Sequence, residues 1–348
     1  MAKFYPYPSI GQLKEMCHHI TESTRFIGCD PVDGKPQYDS TIPLPSAVHF
    51  EGTVKVHGTN AGIGYNPQTG DLWAQSRNHV LSDKSDNCGF HTFVMLNKEF
   101  FINILSKLTK QLSNDLPIVA FGEWFGSGIQ KNVAVQELRR RLMIFAVKII
   151  NENEKKPQWL SRESIELFYS PENFIWNNYN FPTYNIVIDF NNPKASQNKL
   201  VELTNQVEKE CPVGKYFGKN GIGEGIVWSS EEFGRFKVKG NEHSSSKVTT
   251  LASVDSEKLS SIAAFVDYAV TENRLNQGIE QVFTIKGLKP TSKETRDFIT
   301  WITSDVLKEE SVTLTENNLI PEDVMKAVAD KARKWYNLFG KDNLFGKG

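Results

Sequence analysis

A chain of 348 residues can bury a substantial core and has the length for two domains, and its 40 basic and 41 acidic residues leave a net charge of only −1. That balance excludes binding of nucleic acid through a global positive charge, so any such contact must come from a local patch. Cys17, Cys29, Cys88 and Cys211 are scattered without a Cys-x-x-Cys pair, which argues against a zinc site or a disulfide framework. With no apolar leader at the start and no apolar run of membrane-spanning length, the expectation is a soluble, cytoplasmic protein without a membrane partner.

Ile10, Leu13, Met16 and Ile20 recur at helical spacing, and Ser9 with Gln12 predicts a capped amphipathic helix from Ser9 to Ile20. Residues 28–45, rich in Gly, Pro and Asp, read as loop, and no role is assigned before Val48. The run Phe50 to Asn60 alternates, sending Glu51, Thr53, Lys55 and His57 to one side of a strand and Gly52, Val54 and Val56 to the other. A lysine held on such a face beside a glycine turn is a candidate nucleophile. It must shed a proton to act, which partial burial or cationic neighbours favour, although most lysines on strands are simply solvated.

Ala61 to Tyr65, a turn at residues 66–71 and Leu72 to Gln75 predict a hairpin, after which Arg77 stands where its fork could take a phosphate. Apolar spacing predicts one long helix over Phe90 to Leu112. The buried strand Ile118 to Phe121 ends at Gly122-Glu123-Trp124-Phe125-Gly126, where an acid among glycines at a strand end suits a ligand. Leu142 to Ile150 is a further strand; short helices are expected at Leu160 to Tyr169, capped by Ser161, and at Lys199 to Lys209, with Asn173 to Asn192 a loop carrying one strand-like run at Ile186 to Ile188.

Gly223-Glu224-Gly225 is a second glycine-bracketed acid entering a strand, and in Arg235-Phe236-Lys237-Val238-Lys239 the period of two places Lys237 and Lys239 on one face. Two neighbouring lysines repel unless an anion lies beside them, and a nucleotide phosphate is such an anion. Ser244-Ser245-Ser246-Lys247 reads as a boundary. The periodicity beyond Asp255 is helical through Leu259, Ile262, Phe265, Val266, Ala269, Leu275, Ile279 and Val282, and further helices are expected at Glu294 to Leu307 and Pro321 to Phe339.

Lys55-Val56-His57-Gly58-Thr59-Asn60 resembles the lysine-x-His-Gly-Thr-Asn signature of the phage double-stranded-RNA ligase family (RNA ligase 2-like), within the covalent nucleotidyltransferase superfamily. DNA-ligase and capping-enzyme relatives usually carry Asp where this chain has His57. Phe-Gly-Glu-x-x-Gly around Glu123, the strand around Phe145, the Glu224 turn and the Lys237/Lys239 strand are similar to the family's later motifs, in the same order, and Val270 to Leu275 is similar to a stretch of its small C-terminal domain. The resemblance implies an α+β fold. A nucleotidyltransferase (ATP-grasp-like ligase) domain with antiparallel sheets would occupy residues 1–245, and a small all-helical domain residues 246–348.

The same resemblance implies an ATP-dependent RNA ligase that joins 5′-phosphate to 3′-hydroxyl ends of RNA, duplex or nicked, through a lysyl-AMP on Lys55, as a monomer. It gives Lys55, Lys237, Lys239 and Glu224 catalytic roles, and places Val54, His57, Gly58, Asn60, Arg77, Glu123, Phe145, Lys237 and Lys239 at the nucleotide or RNA end. Phe145 would stack on adenine, and Glu224 would hold Mg²⁺ or Mn²⁺. A capping guanylyltransferase or DNA ligase on the same scaffold is the alternative, disfavoured by His57 and by the lack of an evident β-rich domain after Lys239. A non-catalytic RNA-binding module is another, disfavoured by the presence of all the reactive residues.

Overall fold

The computed structural model describes residues 2–154, 157–243, 261–284, 288, 290, 291 and 294–343. The chain divides into two compact units: Val56–Pro182 with residues 2–9 and Glu210–Gly223 form one, while Ile10–Lys55, Thr183–Lys209 and the chain from Glu224 form the other.

The unit that begins at Val56 is built on a six-stranded sheet. Its strands lie in the order Ile175–Asn177, Arg141–Ile149, Ile118–Phe125, Thr59–Tyr65 and Leu72–Gln75, with Gln158–Trp159 also pairing with Arg141–Ile149. Every pairing is antiparallel except that of Ile175–Asn177, which runs parallel to Arg141–Ile149. The two central strands are apolar and buried almost throughout, which explains their continuous hydrophobic runs. Residues 66–71 form the predicted turn, with the Asn66 side chain accepting from the Gln68 N–H and the Asn66 carbonyl from the Gly70 N–H.

The expected single helix over Phe90 to Leu112 is two helices, Phe90–Leu96 and Lys98–Gln111. Asn97 breaks it: its φ of −105° and ψ of 22° are not helical, and its side-chain amide donates to the Phe93 carbonyl, competing with the backbone ladder. Both pieces still bury one face, through Phe90, Val94, Phe101 and Leu105, against Ile63, Ile118 and Ile144 of the sheet. The segment read as loop from Asn173 holds the strand Ile175–Asn177 as well. Its alternation was too short to register in the sequence.

In the other unit a five-stranded sheet has the order Gly11–Gln12, Gly234–Lys239, Gly225–Ser230, Val48–Lys55 and Thr183–Ile188, antiparallel apart from the first pair. The strand expected over Ile186 to Ile188 thus begins at Thr183. Phe50, Trp228, Phe236 and Phe190 bury one face of this sheet, with the Phe50 and Phe236 rings edge to face at 5.1 Å. Helices Leu13–Arg25 and Gln197–Lys209 bury Leu13, Met16, Ile20, Leu200 and Val207.

The first helix starts at Leu13 and not after Ser9, because Gly11 and Gln12 are drawn into parallel pairing with Phe236 and Lys237. Ser9 belongs to the Val56 unit, where its hydroxyl accepts from Arg77 at 3.2 Å. The segment read as loop over 28–45 takes part in a small hairpin of Phe26–Cys29 and Pro36–Tyr38. Ser161 precedes the helix Arg162–Glu166 without a side-chain bond to its backbone.

The C-terminal part is helical as expected: Ile262–Ala269, Glu272–Ile279, Thr295–Glu309, Ser311–Glu316 and Pro321–Asn343 enclose a cluster that includes Phe265, Phe283, Phe298, Ile302, Val328 and Tyr336. Ser244 to Lys247 and Leu259 lie outside the described residues. Among the described residues no helix is long and apolar enough to cross a membrane. The architecture is α+β with mainly antiparallel sheets.

Candidate active site

The register of three strands brings the reactive residues together. Gly225 pairs with Lys55 on one side and with Lys239 on the other, so the three stand in one row across the sheet. Two residues along, Val227 stands between Thr53 and Lys237. Side chains on alternate rows share a face, which puts Lys55, Lys237 and Lys239 together, opposite the face that buries Phe236, Ile226 and Val54. Gly225 has φ +150°, and a Cβ there would strike the Val238 carbonyl oxygen; only glycine fits between the two lysines in this backbone.

Glu224 precedes that glycine and is 2 % exposed. Its Oε2 lies 2.6 Å from the Lys55 Nζ and its Oε1 3.2 Å from the Lys239 Nζ, so one buried carboxylate holds two ammonium groups. Lys237 is held elsewhere: its Nζ lies 2.8 Å from Oε1 of Glu309, at the end of helix Thr295–Glu309. Burial pushes the Lys237 ammonium down, and Glu309 only partly offsets this against the like charges of Lys239 and Lys55. Burial acts the same way on Lys239, but there the attraction of Glu224 and Glu309 prevails and the pKa is raised. For Glu309 burial pushes upward, and Lys237 and Lys239 outweigh it, holding the carboxyl down at about 2. The result is a cluster of lysines around two carboxylates, of which Glu309 stays ionised.

The Glu309 contact carried no signal in the sequence, since it joins residues 72 positions apart and no local pattern marks either end as half of a pair. Glu15, on the first turn of helix Leu13–Arg25, was missed for the same reason. Burial, and after it the charge of Glu309, push its carboxyl up from 4.5 to about 7, although Lys237 pulls the other way. A carboxyl with a raised folded pKa binds its proton more tightly in the native state, so its contribution is fully present below pH 4.5 and is lost as pH rises through about 7. Discounted for partial solvent exposure, the loss is about 1–2 kcal/mol. Glu15→Gln should flatten that part of the stability profile, as read from urea midpoints at about pH 5 and about pH 8. Equal pH dependence in the variant and the parent would contradict it.

The remaining predicted residues fall as follows. Val54 is 3 % exposed on the core face, so its side chain is packing and only its backbone can meet a ligand. The strand ends at Lys55, and the alternation that placed His57 beside Lys55 therefore does not extend to the half-buried His57. In the Val56 unit, the Gly58 N–H donates to Glu123 Oε1 at 3.0 Å and the Gly58 carbonyl accepts from Gln130 Nε2 at 2.9 Å. A Cβ on Gly58 would meet the Trp124 carbonyl oxygen, which explains the glycine. Asn60 pairs across the sheet with Glu123, so both side chains lie on one face.

Phe145 falls at a bulge: Ala146 opposes Phe121 and Ile144 opposes Gly122, which leaves Phe145 without a partner in the ladder. Its half-buried ring lies edge-on to Tyr7 at 5.1 Å. Arg77 is exposed and donates to Ser9. Gln130, which binds the Gly58 carbonyl, had no assigned role in the sequence.

Solved structures and one family model resemble this chain. Among solved structures it is similar to a Naegleria gruberi RNA ligase variant with ATP and Mn (15 % identity, 69 % of this chain and 58 % of that one, TM-score 0.44). It is likewise similar to the same organism's RNA ligase with PPi, and to a variant with AMP and Mn, each at 16 % identity over 69 % of this chain and 57 % of the other, TM-score 0.44. The chain thus spans less than two thirds of the length of these proteins. No curated protein sequence matches it significantly. The family model described as RNA ligase matches residues 48–249, more than half of the chain and the whole of the Lys55 to Lys239 region, and the chain belongs to the RNA ligase family.

Proposed function

We propose that this protein is an ATP-dependent RNA ligase that joins 5′-phosphate and 3′-hydroxyl ends of RNA, of the phage double-stranded-RNA ligase type. The observation that carries the reading is the row of Lys55, Gly225 and Lys239 with Glu224 bound to both lysines. Lys55 is the nucleophile. It gives up a proton, its nitrogen bonds to the α-phosphorus of ATP, and the bond to pyrophosphate breaks, leaving AMP on the lysine. The AMP passes to the RNA 5′-phosphate, and the 3′-hydroxyl then displaces it. Lys239 and Lys237 neutralise phosphate oxygens as charge moves onto the leaving group.

Glu224 orients the Lys55 amine and separates two like charges until the nitrogen is bonded to the α-phosphorus and adenylylated. From then on Lys55 is no longer a cation, and Glu224 loses one of its two lysine partners. The described residues contain no group of three His, Cys, Asp or Glu side chains able to cage an ion, and Glu224 is a single buried carboxylate. This donor set fits Mg²⁺ or Mn²⁺ held chiefly by phosphate oxygens and water with one protein carboxylate. When bound, the ion would neutralise charge on the phosphates.

His57, Gly58, Asn60 and Glu123 are assigned to the nucleoside, Phe145 to stacking on adenine, and Arg77 to the RNA end. Support for the first group comes from the Gly58 peptide, held by Glu123 and Gln130. For Phe145 it comes from the bulge that re-aims the ring. We further propose that residues 246–348 act as a helical module beside an adenylyltransferase segment of residues 1–245. The separate hydrophobic cluster of the last helices supports it. A duplex or nicked RNA substrate, a monomeric state and a cytoplasmic setting complete the proposal.

Incubation with ATP and a divalent ion, followed by peptide mass spectrometry, tests it: AMP should be found on the peptide that carries Lys55. Label from GTP and not ATP, or AMP on another lysine, would overturn the reading.

A further inference from the structure

In the Val56 unit, three consecutive arginines stand at and before the strand Arg141–Ile149, and none of them has a carboxylate partner among the described residues. Two of the three lie on aromatic rings. The Arg139 guanidinium carbon is 3.9 Å from the Phe174 ring centre, and that of Arg141 is 3.8 Å from Phe217 and 5.2 Å from Trp176. Phe217 continues the cluster to Tyr216, with ring centres 4.8 Å apart, and Tyr216 is 54 % exposed. The nearby acids are engaged elsewhere: Glu137 pairs with Lys219 at 2.9 Å and Glu172 accepts from Ser170.

Arg141 is 7 % exposed, yet its only hydrogen bond among the described residues is from Nε to the Arg139 carbonyl. Burial, and after it the like charge of Arg139, push it down to about 10. A buried cation beside a second cation with no counter-charge is costly in a closed protein and favourable where an anion docks. A guanidinium stacked by its plane on a ring still presents its N–H edge, the geometry that takes a phosphate in two parallel bonds. Phe174 sits at φ +59°, a conformation rare for a bulky residue, with its ring against Arg139.

We propose that this surface binds an RNA strand, with a phosphodiester at the edge of the exposed Arg139, the charge of the buried Arg141 behind it, and an unpaired base stacked on Tyr216. Charge and rings together select the partner. An acidic protein surface would satisfy the arginines but leave Tyr216 unused, whereas a flexible strand of phosphates and flat bases meets both. The proposal rests on the RNA ligase reading above and adds a contact surface that no motif of the chemistry includes.

The test is fluorescence anisotropy with a dye-labelled single-stranded RNA of about 12 nucleotides, titrated at several salt concentrations between about 50 and 200 mM. Arg139 and Tyr216 are exposed, so Arg139→Ala and Tyr216→Ala should keep the parent's thermal unfolding, which is measured alongside. Tyr216→Ala should weaken binding about tenfold with the salt slope unchanged, and Tyr216→Phe should bind like the parent. Arg139→Ala should weaken binding severalfold and reduce the salt slope by about 1, with Arg139→Lys restoring the slope. Parent-like binding and slope in both alanine variants would overturn the proposal, as would a parent that does not bind the RNA. Labelling of Lys55 in the parent is read separately. A chain that takes AMP on Lys55 while both variants bind RNA unchanged keeps the ligase reading and loses this surface.

Discussion

Replacing Lys239 by alanine should lower the rate of AMP transfer to the protein by about 100-fold or more, equivalent to ~2.7 kcal/mol of transition-state stabilisation, and replacing Lys55 should abolish it. Lys239 stands in the same row as Lys55, one glycine away, and shares the Glu224 carboxylate with it. In the proposed mechanism its removal takes a positive charge from the place where the leaving pyrophosphate gains negative charge. It also leaves Lys55 as the one of these two lysines on Glu224, which tightens the carboxylate's hold on the amine that has to attack. Both effects slow the first step. Neither requires the fold to change, because Lys239 lies on the face opposite the buried Phe236 and Ile226.

Lys237 is a poorer test of the chemistry, since its removal strands the buried Glu309 and mixes a stability loss into the rate. The measurement is single-turnover label incorporation with circular dichroism as the check on folding. A Lys239→Ala protein that is folded and labels within about threefold of the parent would remove the phosphate-neutralising role.

Arg274→Ala should destabilise the protein by about 3–5 kcal/mol. Arg274 is fully buried; its Nε donates to Asp305 at 2.9 Å, its Nη2 to Glu310 at 3.2 Å, and its Nη1 to the Ala269 carbonyl. Burial alone would lower its pKa, but the charges of Asp305 and Glu310 outweigh it and the cation is held. Alanine leaves Glu310, 2 % exposed, without its guanidinium and keeps, among the described residues, only the Thr313 hydroxyl as a side-chain donor to that carboxylate. Arg274→Lys should recover little, because one ammonium cannot span Asp305, Glu310 and a carbonyl in the geometry of a fork. Arg274→Met combined with Asp305→Asn and Glu310→Gln should recover most of the loss, since no buried charge then stands alone. Urea unfolding of the parent, the single variants and the triple variant reads all of this. An Arg274→Ala loss below about 1 kcal/mol would mean that water reaches the carboxylates.

How far the sequence could be read depends on the range of the interactions involved. Phe50 to Lys55 and Arg235 to Lys239 carry their structure in a period of two, because each strand has one buried and one reactive face, and the register places Lys55, Lys237 and Lys239 on the expected side. The order of motifs then supplied the family. The single helix over Phe90 to Leu112 failed because apolar spacing continues smoothly past Asn97, whereas the break comes from an amide that competes for one carbonyl. The cap at Ser9 failed because Gly11 and Gln12 are claimed by a strand more than 200 residues later, a pairing that no local pattern announces. The arginines at 139–141 drew no comment, since their meaning depends on Phe174, Trp176 and Phe217, which only the fold brings to them.

The Lys237–Glu309 pair gives the last helices a thermodynamic say in events on the sheet. Any anion that engages Lys237 does so in competition with a carboxylate already 2.8 Å away, and a carboxylate with its pKa at about 2 does not withdraw by taking up a proton near neutrality. Occupancy of the lysine by an anion and seating of helix Thr295–Glu309 are therefore linked functions, and linkage is reciprocal: whatever loosens that helix strengthens the lysine's hold on an anion, and an anion on the lysine loosens the helix by the same free energy.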